Sequence, residues 1–203
     1  MTMTAAEPNA SPDIAAAQAA RTIALQMLEE RGRGAVLVGV ARVDAALEHL
    51  LQAVMSPATA KSDGLFLPER PLGSIGAKVA LASRLGLIDA SVERALNVLR
   101  KLRNAFAHSA ESASLGDPAH SSRLAEVYAD ARSNQLWVPL ETVLAAQPPS
   151  AHGPLEPALR DYILLITILV AFLEATAQQL HPIQPPVVMR FSGVSRLNGA
   201  NQE

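Results

Sequence analysis

The sequence predicts an all-α fold, and three observations carry that prediction. Ala and Leu dominate a chain that is 49% hydrophobic, whereas aromatic residues are 3% of it and clusters of Val, Ile, Tyr and Thr are scarce. That balance suits helices better than pleated strands. Apolar residues recur at alternating four- and three-residue spacing in long stretches, and proline and glycine collect between those stretches. A length of 203 residues suits one helical domain with flexible ends better than two domains.

In chain order, residues 1–12 are small and polar and are expected to be disordered. A single helical domain is expected over 13–181 and a flexible tail over 182–203, where Pro182, Pro185 and Pro186 stop the last helix. Ser11, Pro12 and Asp13 mark the start of an Ala-rich helix that reaches about Glu30, where Gly32 and Gly34 interrupt the pattern. Val36, Val40, Val43, Leu47, Leu50 and Val54 then form one seam of a helix from Ala35 to Met55. Pro57, Gly64, Pro68, Pro71 and Gly73 make Ser56 to Ser74 a loop, with Phe66 and Leu67 expected to turn inward. Ser74 can cap a short helix through Lys78 to Leu85, and Gly86 suits the left-handed turn after it. Asp89 or Ser91 caps the next helix, which runs to about His108. Beyond Ser109 the pattern weakens: Gly116 and Pro118 break the chain, a short helix fits Ser122 to Ala131, and Trp137 to Ala146 reads ambiguously, with Trp137 as its anchor to the core. After the break at Pro148, Pro149, Gly153 and Pro154, a central buried helix is expected from Leu155 to Leu180.

Composition narrows the function. A net charge of −2 and a pI near 6.2 provide no global field for a polyanion, so nucleic-acid binding would have to rest on a local patch. The absence of cysteine removes disulfides, thiolate metal sites and a cysteine nucleophile together. His120, His152 and His181 lie in or beside loops without ligand spacing, so neither a metal nor a cofactor is expected. The apolar run Tyr162 to Leu173 is closed by Asp161 and Glu174, too short for the roughly 20 residues of a bilayer span. Residues 1–12 lack the basic end and apolar run of a secretory signal, and a cytoplasmic location is expected.

The segment Arg100-Lys-Leu-Arg-Asn-Ala-Phe-Ala-His108 is the most specific in the chain. Val92, Leu96, Leu99, Arg103 and Phe106 continue the four-three spacing, which assigns an arginine to a core position. A guanidinium does not lose its proton, so its burial demands acceptors. Asp44, one turn from Val40 and Leu47, is the expected partner and Glu48 the second choice. On that reading Asp44→Ala costs roughly 3–5 kcal/mol. Arg103 and His108 lie about 140° apart on an unbroken helix, whereas Asn104 and His108 share a face. A joint site for Arg103 and His108 therefore needs the helix to end there or a second subunit.

The Arg103-Asn-Ala-Phe-Ala-His108 stretch resembles the signature of HEPN domains, helical bundles that often dimerise. The sequence also resembles the mannitol operon repressor family in four ordered places: Val43-Asp44-Ala45-Ala46-Leu47; Leu65-Phe66; Pro71-Leu72-Gly73-Ser74-Ile75-Gly76-Ala77-Lys78 with Leu85-Gly86-Leu87-Ile88; and the stretch from Leu99 to His108. These cover about 35–109. The resemblance implies a HEPN-like antiparallel helical bundle, with Asp44, Pro71, Leu72, Gly73, Lys78, Gly86, Arg103, Asn104, Phe106 and His108 as its structural or motif residues.

Two functions follow from the resemblance. One is a non-enzymatic regulator of transcription that works through protein contacts, with a protein partner or a second copy of itself. No helix-turn-helix with a basic recognition helix is evident, which argues against direct DNA readout. The other is a metal-independent ribonuclease in which His108 acts as general base or acid, Arg103 steadies the scissile phosphate and Asn104 orients the pair. Lys78 has two readings, a solvated side chain or one that reaches a loop carbonyl or an anion at a dimer face. His49, on the flank of a seam, reads as a partly exposed helix residue.

Overall fold

A computed structural model describes residues 12–30, 32–58, 64–108, 114–147 and 154–196. Among them the order is α1 (Pro12–Met27), α2 (Gly32–Val54), α3 (Ile75–Arg84), α4 (Ala90–His108), α5 (Pro118–Arg132), α6 (Trp137–Ala145), α7 (Pro157–Ala177), β1 (Val187–Arg190) and β2 (Gly193–Arg196). The predicted N-terminal disorder, His152 and the end of the tail fall mostly or wholly outside the described residues, as do parts of the breaks near Ser109 and Pro148.

Helix α7 is the axis of the core. Every residue from Asp161 to Ala171 is buried, because α1, α2, α5 and α6 pack around it. Its polar N-terminal end and Glu174 bracket an apolar run that satisfies neighbouring helices rather than lipid, and no helix among the described residues is long and apolar enough to cross a membrane. Helix α2 comes close to α7 at Gly39. A Cβ there would stand 2.8 Å from the Tyr162 Oη and 3.1 Å from Ile166 Cγ1. The Tyr162 hydroxyl, brought this close, donates to the Val36 carbonyl at 3.0 Å, which satisfies a polar group inside the core.

A second layer sits on α2: α3 packs against α2 and α4, and α4 against α2, α3 and α5. Ser74 caps α3 as expected, its Oγ accepting from the Ala77 N–H at 3.2 Å, and Gly86 turns the chain with φ +70°. Of the two candidate caps for α4, Asp89 is the one used: its carboxylate accepts from the Val92 N–H at 2.9 Å and the Ser91 hydroxyl at 2.8 Å. Those bonds, the Val92 one foremost, hold its carboxyl below the ordinary carboxylate value.

Several local expectations need correction. Gly32 and Gly34 open α2 instead of interrupting the helical pattern; the break lies at Leu28–Glu30. Pro118 starts α5 four residues ahead of the expected Ser122, since a proline in the first turn gives up an N–H that has no intrahelical acceptor anyway. The ambiguous stretch from Trp137 is helical for the same reason, with Pro139 in its first turn, and buried Trp137 packs on Tyr128 at 6.3 Å. Phe66 is buried, but Leu67 is exposed. The C-terminal segment, expected as a tail with little to bury, carries an antiparallel hairpin in which Val187 pairs with Arg196 and Arg190 with Gly193.

Candidate functional site

The buried stripe of α4 runs through Ala95, Leu96, Leu99, Leu102 and Phe106. It passes through Leu102, and Arg103 lies on its flank, about 40° round the helix from Leu99. Arg103 is consequently exposed and makes no ion pair with Asp44; its Nη1 donates to Asn104 Oδ1 at 3.3 Å. The expected buried Arg103–Asp44 pair is thus not formed. A spacing of four then three fits either residue at the flank of a stripe, and the longer, charged side chain takes the wet side.

The buried cation is Lys78, 2% exposed. Its Nζ lies 2.8 Å from Glu48 Oε2 and 3.1 Å from Asp44 Oδ1, and 5.8 Å from the centre of the Phe66 ring. The Glu48 contact is a directed hydrogen bond, whereas Asp44 Oδ1 faces the ammonium without hydrogen-bond geometry. The acids chosen for Arg103 therefore serve Lys78, and the reading of Lys78 as solvated is corrected. The signal was present in α3: Ile75, Lys78, Val79 and Ala82 share the spacing of a packed face.

The loop before α3 sets this geometry. Leu72 N–H donates to the Leu65 carbonyl at 3.0 Å and Gly73 N–H to the Arg70 carbonyl at 3.0 Å, with Pro71 exposed between them. A Cβ on Gly73 would stand 2.3 Å from the Leu67 carbonyl oxygen, so only glycine closes the turn. Gly76 leaves room for the Arg100 side chain, whose Cδ would be 3.4 Å from a Cβ there. The result is a cleft of about 680 Å³ between α2, α3 and α4, walled by Leu37, Val40, Ala41 and Ile75 and lined by Arg33, Asp44, Ser74, Arg100, Arg103 and Asn104. The Arg33 Nη2 donates to the Ala107 carbonyl at 2.8 Å, and the Arg100 Nε is buried with no hydrogen-bond partner.

Of the proposed motif residues, Asp44, Gly73, Arg103 and Asn104 meet at this cleft and Lys78 underpins it. Phe106 is fully buried and packs on the His120 ring at 5.3 Å, and Gly86 closes α3 away from the cleft. His108, the last residue of α4, is exposed and does not line the cleft. Because α4 remains helical to His108, a single chain does not bring Arg103 and His108 to one site. Sequence reasoning missed Arg33 and Arg100 as cleft residues, since they sit on separate helices that only packing brings together.

Elsewhere, His49 is exposed and pairs with Glu174 at 2.9 Å. Asp161 is buried between Arg132 at 2.7 Å and Arg160 at 2.7 Å, and Arg132 also lies over the Tyr128 and Trp137 rings. No group of three or more histidine, aspartate or glutamate residues able to hold a metal occurs among the described residues. Comparison of the chain with family models, with curated proteins and with solved structures finds no match.

Proposed function

We propose that this protein is a non-enzymatic regulatory module, a HEPN-like helical bundle similar to the mannitol operon repressor family, that acts in transcriptional regulation through protein contacts. The observation that carries the reading is the C-terminal hairpin. Met189 is 77% exposed and Phe191 fully so, and Val187 in the same strand and Ile183 ahead of it are exposed as well. An isolated two-stranded hairpin is marginal in water, and exposed apolar side chains on open strand edges are what a protein partner covers. The partner is a second copy or another protein, the binding free energy coming from burial of these side chains.

The second reading, a metal-independent ribonuclease, is favoured by one observation: Arg103 and Asn104 line a cleft that two further arginines enter. Its general acid or base, His108, would have to come from a second copy. One set of experiments separates the two. Sedimentation of the intact protein at micromolar concentration is expected to show association that Met189→Ser with Phe191→Ser abolishes while the helical circular dichroism signal is kept. Incubation with structured and single-stranded RNA is expected to show no cleavage dependent on Arg103 or His108. A monomer with no partner, or cleavage lost in Arg103→Ala and His108→Ala, would overturn the first reading.

A further inference from the structure

One stripe of α7 faces a gap between α4 and α5. Leu165, Ile168, Leu169, Phe172, Leu173 and Thr176 recur along it at three- and four-residue spacing, and between them they line two hollows of about 520 and 350 Å³. The hollows share Val92, Asn134, Ile168, Leu169 and Phe172, so they form one groove, walled by the start of α4 on one side and the end of α5 on the other. Leu165, Ile168, Leu169 and Leu173 are buried at its floor, whereas Val92 and Phe172 are half-buried at its mouth. A groove of that depth admits single large side chains rather than a whole helix.

The C-terminal hairpin offers such side chains in Met189 and Phe191, and it is tethered close by. The Ile183 N–H donates to the Val54 carbonyl at 2.8 Å, and Val54 lies about one turn beyond Leu50, which lines the groove. Only Gln184, Pro185 and Pro186 separate Ile183 from β1. Met189 and Phe191, six and eight residues past that pin, reach at most about 20 and 26 Å from it, and the groove from Thr176 to Leu165 is about 16 Å long. Charge agrees with shape. Over β1, its turn and β2 the only charged residues are Arg190 and Arg196, whereas Asp89 and Asp130 line the groove and no lysine or arginine does. Arg94, outside the lining, pairs with Asp130 at 3.3 Å, which leaves Asp89 without an ion pair among the described residues.

We propose that this groove receives the chain's own C-terminal hairpin, which turns about Ile183 and seats Met189 and Phe191 over α7, a strap that a protein partner displaces. The same side chains cannot lie in the groove and in an interface at once. The strap therefore sets what fraction of the protein is open to the protein contacts proposed above, and it rests on that reading for its partner. The occupant is this chain's hairpin rather than a second copy's, because a short tether holds it at an effective concentration of about a millimolar, roughly a thousandfold above a second copy at micromolar concentration.

Disulfide trapping in the full chain tests it, since the chain has no cysteine of its own to interfere. Met189→Cys is combined with Gln135→Cys or with Thr176→Cys, both at the groove, and as a control with Lys101→Cys, exposed and about two and a half turns along α4 from Val92. Circular dichroism checks that each variant is folded, and loss of the helical signal at one groove position leaves the other to decide. Under mild oxidation at about 1 µM, at least one groove pair is expected to bridge within a single chain about tenfold faster than the control. Adding Phe191→Ser is expected to remove that advantage. Bridging no faster than the control at both positions, an advantage that survives Phe191→Ser, or bridges that join two chains instead overturn the proposal. The strap and the protein-contact reading fail separately: trapping within a chain that never associates keeps the strap and removes that reading, and association without trapping does the reverse.

Discussion

The ammonium group of Lys78 sits between two carboxylates and beside an aromatic ring, and it ties α3 to α2. Its removal leaves Asp44 and Glu48 facing each other with no cation between them and opens space beside Phe66. Lys78→Ala is expected to destabilise by about 3 kcal/mol, the range in which breaking a buried pair falls. Lys78→Met keeps the stem and should recover part of that loss. Asp44→Ala is expected to cost only about 1–2 kcal/mol, since the Asp44 side chain is 34% exposed and Glu48 still holds the lysine. Urea unfolding of the three variants checks the order; equal costs for Lys78→Ala and Asp44→Ala would show that the two acids do not share the cation.

Among elements, α2 and α7 share the most extensive contact described, and Gly39 marks where the two helices come close. At Gly39 an alanine gains up to about 1 kcal/mol of helix propensity, but its methyl group meets the Tyr162 ring and Ile166 Cγ1 inside normal contact distance. The overpacking outweighs the propensity, and Gly39→Ala is expected to destabilise by about 1–2 kcal/mol. Gly34 lies in the same helix, and a Cβ there would meet only the end of the flexible Glu30 side chain, at 3.2 Å. Gly34→Ala is therefore expected to stabilise by about 0.5 kcal/mol. Opposite signs in thermal unfolding are the result expected; stabilisation by both would mean that α2 and α7 stand further apart at Gly39.

At the scale of the whole molecule, the chain's two tyrosines both lie in the core, so phenolate absorbance reports on the fold as a unit. Burial pushes both phenols well above their ordinary value of 10.0, and the Asp161 carboxylate adds to the shift at Tyr128. In the unfolded chain they ionise near that ordinary value, while the folded chain keeps them neutral. Stability is therefore fully present below pH 10.0 and is lost as pH rises above it, by up to about 1.4 kcal/mol per pH unit for each tyrosine. An alkaline titration is expected to show no phenolate until the helical signal collapses, both changes arriving together. Phenolate formed at pH 10 with helices intact would place a tyrosine in water.

The sequence by itself determined the helical class and the order of most helices, but neither α6 nor the C-terminal hairpin. Periodicity, caps and proline clusters act over a few residues, which is why Ser74, Asp89 and Gly86 were legible as boundaries. The stretch from Pro71 to Lys78 was also visible as a unit, although the tasks of Gly73, Gly76 and Lys78 were not. Only the tertiary structure decided which cation is buried, because the flank of a helical stripe turns wet or dry according to what packs beside it. It likewise decided that Arg33, Arg100 and Arg103 share a cleft and that His108 does not reach it. Residues from separate helices meet through packing, and packing is a property of pairs of surfaces that no single periodic stretch encodes.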